Sequence, residues 1–138
     1  MNSVKVLQTL AGIACIVVQP IADYNATHVF NPLWADVPHA IFHTAWLMCG
    51  TVLLGIATLY LVWGTYDGKG TRLSVVMAGV LPIIAWGAFL PALLFPGVDH
   101  WPDGTPPALP VNPNLIMASA VVLISLLSIV LDKRKRAA

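Results

Sequence analysis

Four long apolar segments constrain this chain more than any other feature. They cover residues 4–22, 40–64, 73–95 and 115–131, and a helix needs roughly 20 residues to cross the hydrocarbon core of a bilayer. Only 9% of the 138 residues are charged, and the mean hydropathy is +0.81. Lipid admits helices or closed barrels, and these segments lack the alternation of barrel strands. The sequence therefore predicts an all-α integral membrane protein, a single four-transmembrane-helix bundle over residues 1–138.

The distribution of basic residues predicts the orientation of this bundle. The connections 22–38 and 96–114 contain no Lys or Arg, whereas the hairpin 66–72 contains two and the tail 132–136 contains four. Short basic segments stay in the cytoplasm. We therefore expect a multi-pass protein of the inner (cytoplasmic) membrane of the cell, with both termini cytoplasmic. The basic tail is expected to touch anionic lipid, and no nucleic-acid partner is expected.

The first segment and the two cysteines are expected to be structural. Lys5 precedes an apolar run, but no clear small-x-small cleavage site comes before Pro20 and Asp23, so we expect this segment to stay as a helix. Cys15 and Cys49 both lie within apolar segments. We predict that they pack as small residues and form no disulfide.

Polar residues gather where the first segment ends. Gln19 and Asp23 are four residues apart and would share one helix face. Asp23 either ends the helix in headgroup water or turns inward and orients a histidine; both interpretations are open. The connection 23–34 is rich in Asn, Asp, Thr and Pro, which form caps and turns, and it also carries aromatic residues. We expect this outer loop to pack on the bundle as a lid.

Two histidines mark the start of the second helix, where Pro38 suits a first-turn position. His39 and His43 are four residues apart, so both would lie on one face and could bind one metal ion. His28 and Asp23 would complete a set of three nitrogens and one oxygen for a transition metal such as Zn, Cu or Fe. Alternatively, the site is a metal-free pocket with His39, His43 and Asp23 as catalytic acid–base groups. In a third interpretation, the histidines only hold loop carbonyls.

The other segments contribute less to the predicted site. Pro82 and Pro91 would kink the third helix, and with Trp86 they would shape an apolar pocket beneath the histidines. His100, in the second outer loop, is expected to be a bystander. The last segment is expected to be scaffold, with serine hydroxyls bonded to its own helix or to a neighbour.

The chain resembles small uncharacterised bacterial four-helix membrane proteins, which we associate with a DoxX-like group of tetraspan families. The likeness lies in two runs: Asn25-x-Thr27-His28-Val29-Phe30-Asn31-Pro32-x-Trp34, and His39-Ala40-x-Phe42-His43 followed by Trp46. The resemblance implies the four-span layout, and it implies no activity. It further implies that one group of residues acts as a unit: Asp23, His28, Asn31, Trp34, His39 and His43.

Two functions follow as hypotheses. In the first, His28, His39, His43 and Asp23 form an outward-facing site, and the protein is an enzyme or a metal- or ligand-binding protein for an apolar, lipid-like small molecule. In the second, it is a non-catalytic accessory subunit or assembly factor of a larger membrane complex, or a homo-oligomer. The apolar exterior and the few ionisable residues favour this alternative. A coupled transporter ranks last, because no charged residue is expected near mid-bilayer.

Overall fold

The computed structural model describes residues 3–26, 28–64, 71–96 and 110–137, and these ranges contain helices and no strand. His100 lies outside them. The all-α class is confirmed. In chain order the elements are α1 (Ser3–Asp23), a 3-10 helix (Pro32–Trp34), α2 (Pro38–Gly64), α3 (Arg72–Gly87), α4 (Phe89–Ala92) and α5 (Pro113–Ala137).

Four helical spans of the described chain are long and apolar enough to cross a membrane. They are Ser3–Asp23, Pro38–Gly64, Arg72–Ala92 and Pro113–Lys135. Large apolar side chains on each span point away from the bundle, including Leu10, Leu53, Ile84 and Leu123. In water such surfaces would be costly, whereas lipid solvates them. Four candidate membrane-spanning helices are therefore present, as predicted.

The third span differs from its predicted form. The sequence predicts one kinked helix over 73–95, but α3 ends at Gly87 and the single turn α4 follows. Proline has no N–H, so Pro91 cannot donate to the carbonyl of Gly87 four residues earlier. The helix breaks at that position, whereas Pro82 is accommodated inside α3.

The start of α2 and the end of α5 also differ from the predicted boundaries. Pro38 is the first residue of α2, two positions before the predicted start. α5 runs past residue 131 to Ala137, because lysine and arginine are good helix formers and continue the helix beyond the apolar run. At its start, the Asn112 side chain accepts a hydrogen bond from the backbone N–H of Asn114 at 2.7 Å.

The four spans pack in the cyclic order α1, α2, α3, α5. α1 and α3 also touch across the centre, whereas α2 and α5 make no contact within the described residues. The Lys135 ammonium donates to the Ser3 hydroxyl at 3.5 Å, so the first and last helices meet at one end, here called the basic end. The opposite end, where α1 stops at Asp23 and α2 starts at Pro38, is called the loop end. A cytoplasmic location for the basic end stays a prediction.

Glycines set the closest helix contacts. A Cβ atom on Gly55 of α2 would lie 2.7 Å from the carbonyl oxygen of Gly12 and 2.8 Å from the Cβ of Cys15, both in α1. A Cβ on Gly79 of α3 would lie 2.6 Å from Ile129 of α5. Small residues let helix backbones approach closely in a membrane, where packing replaces the hydrophobic effect. These glycines thus determine how α1 meets α2 and how α3 meets α5.

The core combines small apolar residues with a buried polar contact. Its main cluster consists of Ala11, Cys15, Trp86, Ala118 and Val121. Both Cys15 and Cys49 are free thiols, as predicted, and Cys15 packs in the core; Cys49 is exposed, so the prediction that it packs inside the bundle is wrong. Nearer the basic end, the Gln8 side-chain amide donates to the Val75 carbonyl at 2.8 Å and to the Ser128 hydroxyl at 3.2 Å. Gln8 thereby links α1 to α3 and α5.

Gln8→Ala is expected to lower the free energy of unfolding by about 1–2 kcal/mol, because hydrogen bonds between membrane helices contribute about 0.6 and at most about 1.7 kcal/mol each. The measurement is unfolding in mixed micelles. Thr9→Ala is the matched control, since the Thr9 hydroxyl bonds only the Lys5 carbonyl of its own helix. Equal effects of the two variants would contradict a linking role for Gln8.

Candidate functional site

A cavity of about 520 Å³ lies at the loop end of the bundle, and we call it the loop-end cavity. All four spans contribute to its wall. The polar and aromatic lining residues are Gln19, Asp23, His28, His43, Thr44, Thr51, Trp86, Phe89 and Asn114; the apolar ones are Leu47, Ala85, Ala88 and Ala92. Trp86 belongs to the buried core as well, so it closes the cavity towards the bundle centre.

Asp23 is turned inward. Its side chain is only 7% exposed, so the geometry favours the inward interpretation over an end in headgroup water. The Gln19 amide donates to Asp23 Oδ2, as expected for residues that share a helix face. On the other side, His28 Nε2 lies 3.9 Å from Asp23 Oδ1. The carboxylate is thus held between an amide and an imidazole.

A tight turn after α1 brings His28 to Asp23. The Asn25 side chain donates to the Ala22 carbonyl at 2.6 Å, and the backbone N–H of Val29 donates to the Asp23 carbonyl at 3.1 Å. Asparagine readily satisfies the free carbonyls at a helix end in this way. The chain therefore folds back on the last turn of α1, which places His28 in the cavity wall.

The rest of the connection is compact but largely exposed. Asn31 is buried, and its side-chain oxygen accepts from the N–H of Leu33 at 3.0 Å to start the 3-10 helix. The rings of Tyr24 and Phe30 pack edge to face at 4.9 Å, and both are more than half exposed. Within the described part of the loop, His28 is the residue that lines the cavity. A lid over the bundle stays a prediction.

His39 and His43 form a direct pair on α2. Their Nε2 atoms are 2.9 Å apart and the rings are nearly perpendicular, so one ring donates a hydrogen bond and the other accepts it. The predicted spacing on one helix face is therefore realised. His43 lines the loop-end cavity and His39 does not. The two imidazoles, equivalent in the sequence, are thus unequal in the fold.

The predicted metal ligands fall into two pairs. Asp23 contacts His28, and His39 contacts His43, with His43 facing the cavity that Asp23 and His28 also line. Within residues 3–26, 28–64, 71–96 and 110–137, no group of three or more His, Cys, Asp or Glu side chains is arranged to hold a metal ion. The single centre of three nitrogens and one oxygen is therefore not assembled in this part of the chain.

A second cavity of about 510 Å³ lies between α2 and α3, and we call it the α2–α3 groove. It is lined by His43, Trp46, Leu47, Gly50, Thr51, Leu54, Ile84, Ala85 and Ala88. Trp46, Leu47 and Ile84 are more than half exposed, so the groove opens on the lipid-facing surface. Five residues line both spaces: His43, Leu47, Thr51, Ala85 and Ala88. An apolar pocket was expected beneath the histidines, and these two spaces lie beside His43. Of the residues expected to shape it, Trp86 lines the loop-end cavity, whereas Pro82 and Pro91 line neither space.

Three polar lining residues escaped the sequence analysis. Thr44 and Thr51 lie within the apolar run of α2, where a single hydroxyl is unremarkable because it can bond its own helix, as Thr44 does with the Ala40 carbonyl. Asn114 follows Pro113 at the start of α5. The one available signal was the eight-residue spacing of His43 and Thr51, which places them on similar faces of a helix.

Fold and site together define a small four-span helical membrane protein with a polar cavity at one end of its bundle. Residues 4–138 match the model of a family of unknown function (DUF6640), and the chain belongs to that family. The match includes every residue of both cavities. Neither the curated proteins nor the solved structures contain a match to this chain. The DoxX-like grouping stays a resemblance.

Proposed function

We propose that this protein binds an amphipathic, lipid-like molecule in the loop-end cavity, with the polar head of the molecule held by Asp23, His28 and His43. One observation carries the proposal: a buried carboxylate and two imidazoles line a cavity that continues into an apolar, lipid-facing groove. Binding sites for small molecules are typically about 300–1,000 Å³, mostly apolar, with a few convergent polar groups.

The side chains of the site suit a hydrogen-bonding head. Asp23 accepts hydrogen bonds, and a ring nitrogen of a neutral imidazole either donates or accepts one. The Nε2 atom of His43 is bonded to His39, so His43 would contact the head through Nδ1. Imidazole is also a common general acid and base in enzymes, so the same residues would serve an acid–base reaction at the bound head. In an enzyme, Asp23 would orient His28 while His43 exchanges a proton with the ligand. A binding protein would use these contacts for recognition alone.

The loop end is proposed to face the outer side of the bacterial inner membrane. This proposal is supported by the basic residues at the opposite end, where Arg72 starts α3 and Lys133, Arg134 and Lys135 end α5. Positively charged segments are retained in the cytoplasm. The ligand would then reach the site from the bilayer or from the periplasm.

The test is lipid mass spectrometry combined with elemental analysis of the purified full-length protein. We expect wild type to retain an amphipathic molecule, and Asp23→Asn to retain at least about tenfold less, since a hydrogen bond to a charged group contributes about 1.5–3 kcal/mol. The control is Asp36→Asn, which removes an exposed carboxylate outside the cavity and should keep full occupancy.

Two results would reject this proposal. Unchanged ligand occupancy in Asp23→Asn would show that the carboxylate does not hold the head. One equivalent of a transition metal in wild type, lost in Asp23→Asn without any bound lipid, would instead support a metal centre of Asp23, His28, His39 and His43.

A second candidate function is that of an accessory subunit of a larger membrane complex. It is favoured by exposed apolar side chains outside the spans, since Tyr24, Phe30 and Leu33 are each more than half exposed in the first connection. Surface aromatic and aliphatic groups of this kind often mark protein contacts. Native mass spectrometry after gentle extraction tests this role. A partner protein that wild type retains and the double variant Phe30→Ser, Leu33→Ser loses would support it. A protein that is always found without a partner would exclude it.

A further inference from the structure

We infer that the ligand is a long-chain molecule with an uncharged hydroxyl or carbonyl head, and that it enters sideways from the bilayer with its chain in the α2–α3 groove. This inference rests on the proposed function, since it assumes that the head lies in the loop-end cavity. It adds the class of ligand, the position of the chain and the route of entry.

The charged residues that line the loop-end cavity, and those that are missing there, indicate which kind of polar head group the ligand carries. No Lys or Arg stands among its described lining residues, although phosphate and carboxylate groups are normally held by such cations. Asp23 would in addition repel an anionic head. For a cationic head, the Gln19 amide that donates to Asp23 Oδ2 and the His28 imidazole 3.9 Å from Oδ1 already offset part of the carboxylate charge, and the alkylamine probe below tests this class directly. An uncharged group that both donates and accepts hydrogen bonds fits these partners best.

The groove extends directly from this polar cavity. His43, Leu47 and Thr51 of α2 belong to both walls, so a head beside His43 would direct its chain between α2 and α3. Apart from His43 and Thr51, the groove is lined by apolar residues, glycine and the indole of Trp46. Its exposed rim of Leu47 and Ile84 faces lipid. A molecule dissolved in the bilayer can therefore reach the cavity without crossing water.

Gly50 keeps this groove open. A Cβ atom added at Gly50 would have no heavy atom within 4 Å, in contrast to Gly55 on the same helix, where it would meet α1 at 2.7 Å. Gly50 is thus not needed for helix packing, and a larger side chain there would fill the groove. The hydrocarbon chain of the ligand gains no hydrophobic free energy when it moves from lipid into the groove. The favourable free energy of binding must therefore come from the contacts of the polar head.

Photolabelling of the full-length protein in phospholipid nanodiscs tests this inference. The probe is a long-chain alcohol with a diazirine on its chain. We expect labels on groove residues such as Leu47, Leu54 and Ile84, and at least about tenfold less labelling in Gly50→Phe, which corresponds to about 1.4 kcal/mol. Ile84→Trp should reduce labelling from the opposite wall. Leu53→Phe is the matched control, because it adds the same ring on the lipid-facing side of α2 outside the groove.

The other probes separate the possible ligand classes. A diazirine fatty acid, an alkylamine and a phospholipid are expected to label the groove less than the alcohol does. Equal or stronger labelling by any of them would overturn the assignment of the head. Thermal unfolding of each variant verifies that it is folded, and Ile84→Trp replaces Gly50→Phe if the latter is unstable.

Failure of this inference is distinguishable from failure of the proposed function. Full labelling in both Gly50→Phe and Ile84→Trp, together with loss of labelling in Asp23→Asn, would overturn the groove and leave the proposed function in place. Full labelling in Asp23→Asn would reject the proposed function and the inference with it.

Discussion

Gly55→Val is expected to lower the free energy of unfolding by about 3 kcal/mol, at the upper end of the usual cost of overpacking. The added Cβ would lie 2.7 Å from the Gly12 carbonyl oxygen and 2.8 Å from the Cβ of Cys15. The first of these is a backbone atom, so no flexible side chain can move aside. α1 and α2 must separate, and they lose packing along their whole contact.

The matched control for this prediction is Gly50→Val on the same helix. Both substitutions add the same side chain and the same β-branching, but Gly50 has open space where Gly55 touches α1. We expect Gly50→Val to stay within about 0.5 kcal/mol of wild type, the usual range for surface substitutions. The measurement is reversible unfolding in mixed micelles or bicelles. Equal losses in the two variants would contradict the close approach of α1 and α2.

His43→Ala is expected to lower ligand occupancy by about tenfold or more, whereas His39→Ala lowers it by less than about threefold. His43 lines both the loop-end cavity and the α2–α3 groove, and His39 lines neither. Loss of His43 leaves the polar head of the ligand without a direct hydrogen-bond partner in the cavity, at a cost of about 1–3 kcal/mol. Loss of His39 removes only the hydrogen bond that orients His43.

Occupancy is measured as bound lipid per protein, together with metal per protein, for both variants and wild type. The two histidines are a natural matched pair because they lie one turn apart on the same helix. A metal ion held by both imidazoles would make the two variants equally defective and would appear in the elemental analysis. Full occupancy in His43→Ala would contradict its place in the site.

The sequence predicted some elements closely, and the reason differs for each. Hydropathy predicted the four spans because a membrane helix must be apolar over a length set by the bilayer. The extension of α5 to Ala137 was missed because helix formation continues beyond the apolar run. The break at Ala88 was expected only as a kink, since the loss of the Pro91 N–H can bend a helix or end it, depending on the packing around it.

The candidate site was predictable only in its parts. The four-residue spacings of Gln19 with Asp23 and of His39 with His43 are local, so both pairs followed from helix geometry and both contacts are present. The pairing of His28 with Asp23 depends on a turn stabilised by Asn25. Thr51 was missed because, apart from its eight-residue spacing from His43, an apolar run does not show which face of its helix points into a cavity. Asn114 was missed because its place in the cavity wall depends on how α5 packs against the other helices.

By itself, the sequence of this chain determined the number of spans, the end of the bundle where polar residues gather and the residues that share a helix turn. These properties depend on lipid solvation and on the period of the α-helix, which act locally. Only the tertiary structure decided that Asp23 is buried, that His43 faces the cavity while His39 does not, and that Gly50 borders open space. Those outcomes depend on the rotation of each helix about its own axis. Contacts between segments that are distant in the sequence determine this rotation, such as those of Gly12 with Gly55 and of Gly79 with Ile129.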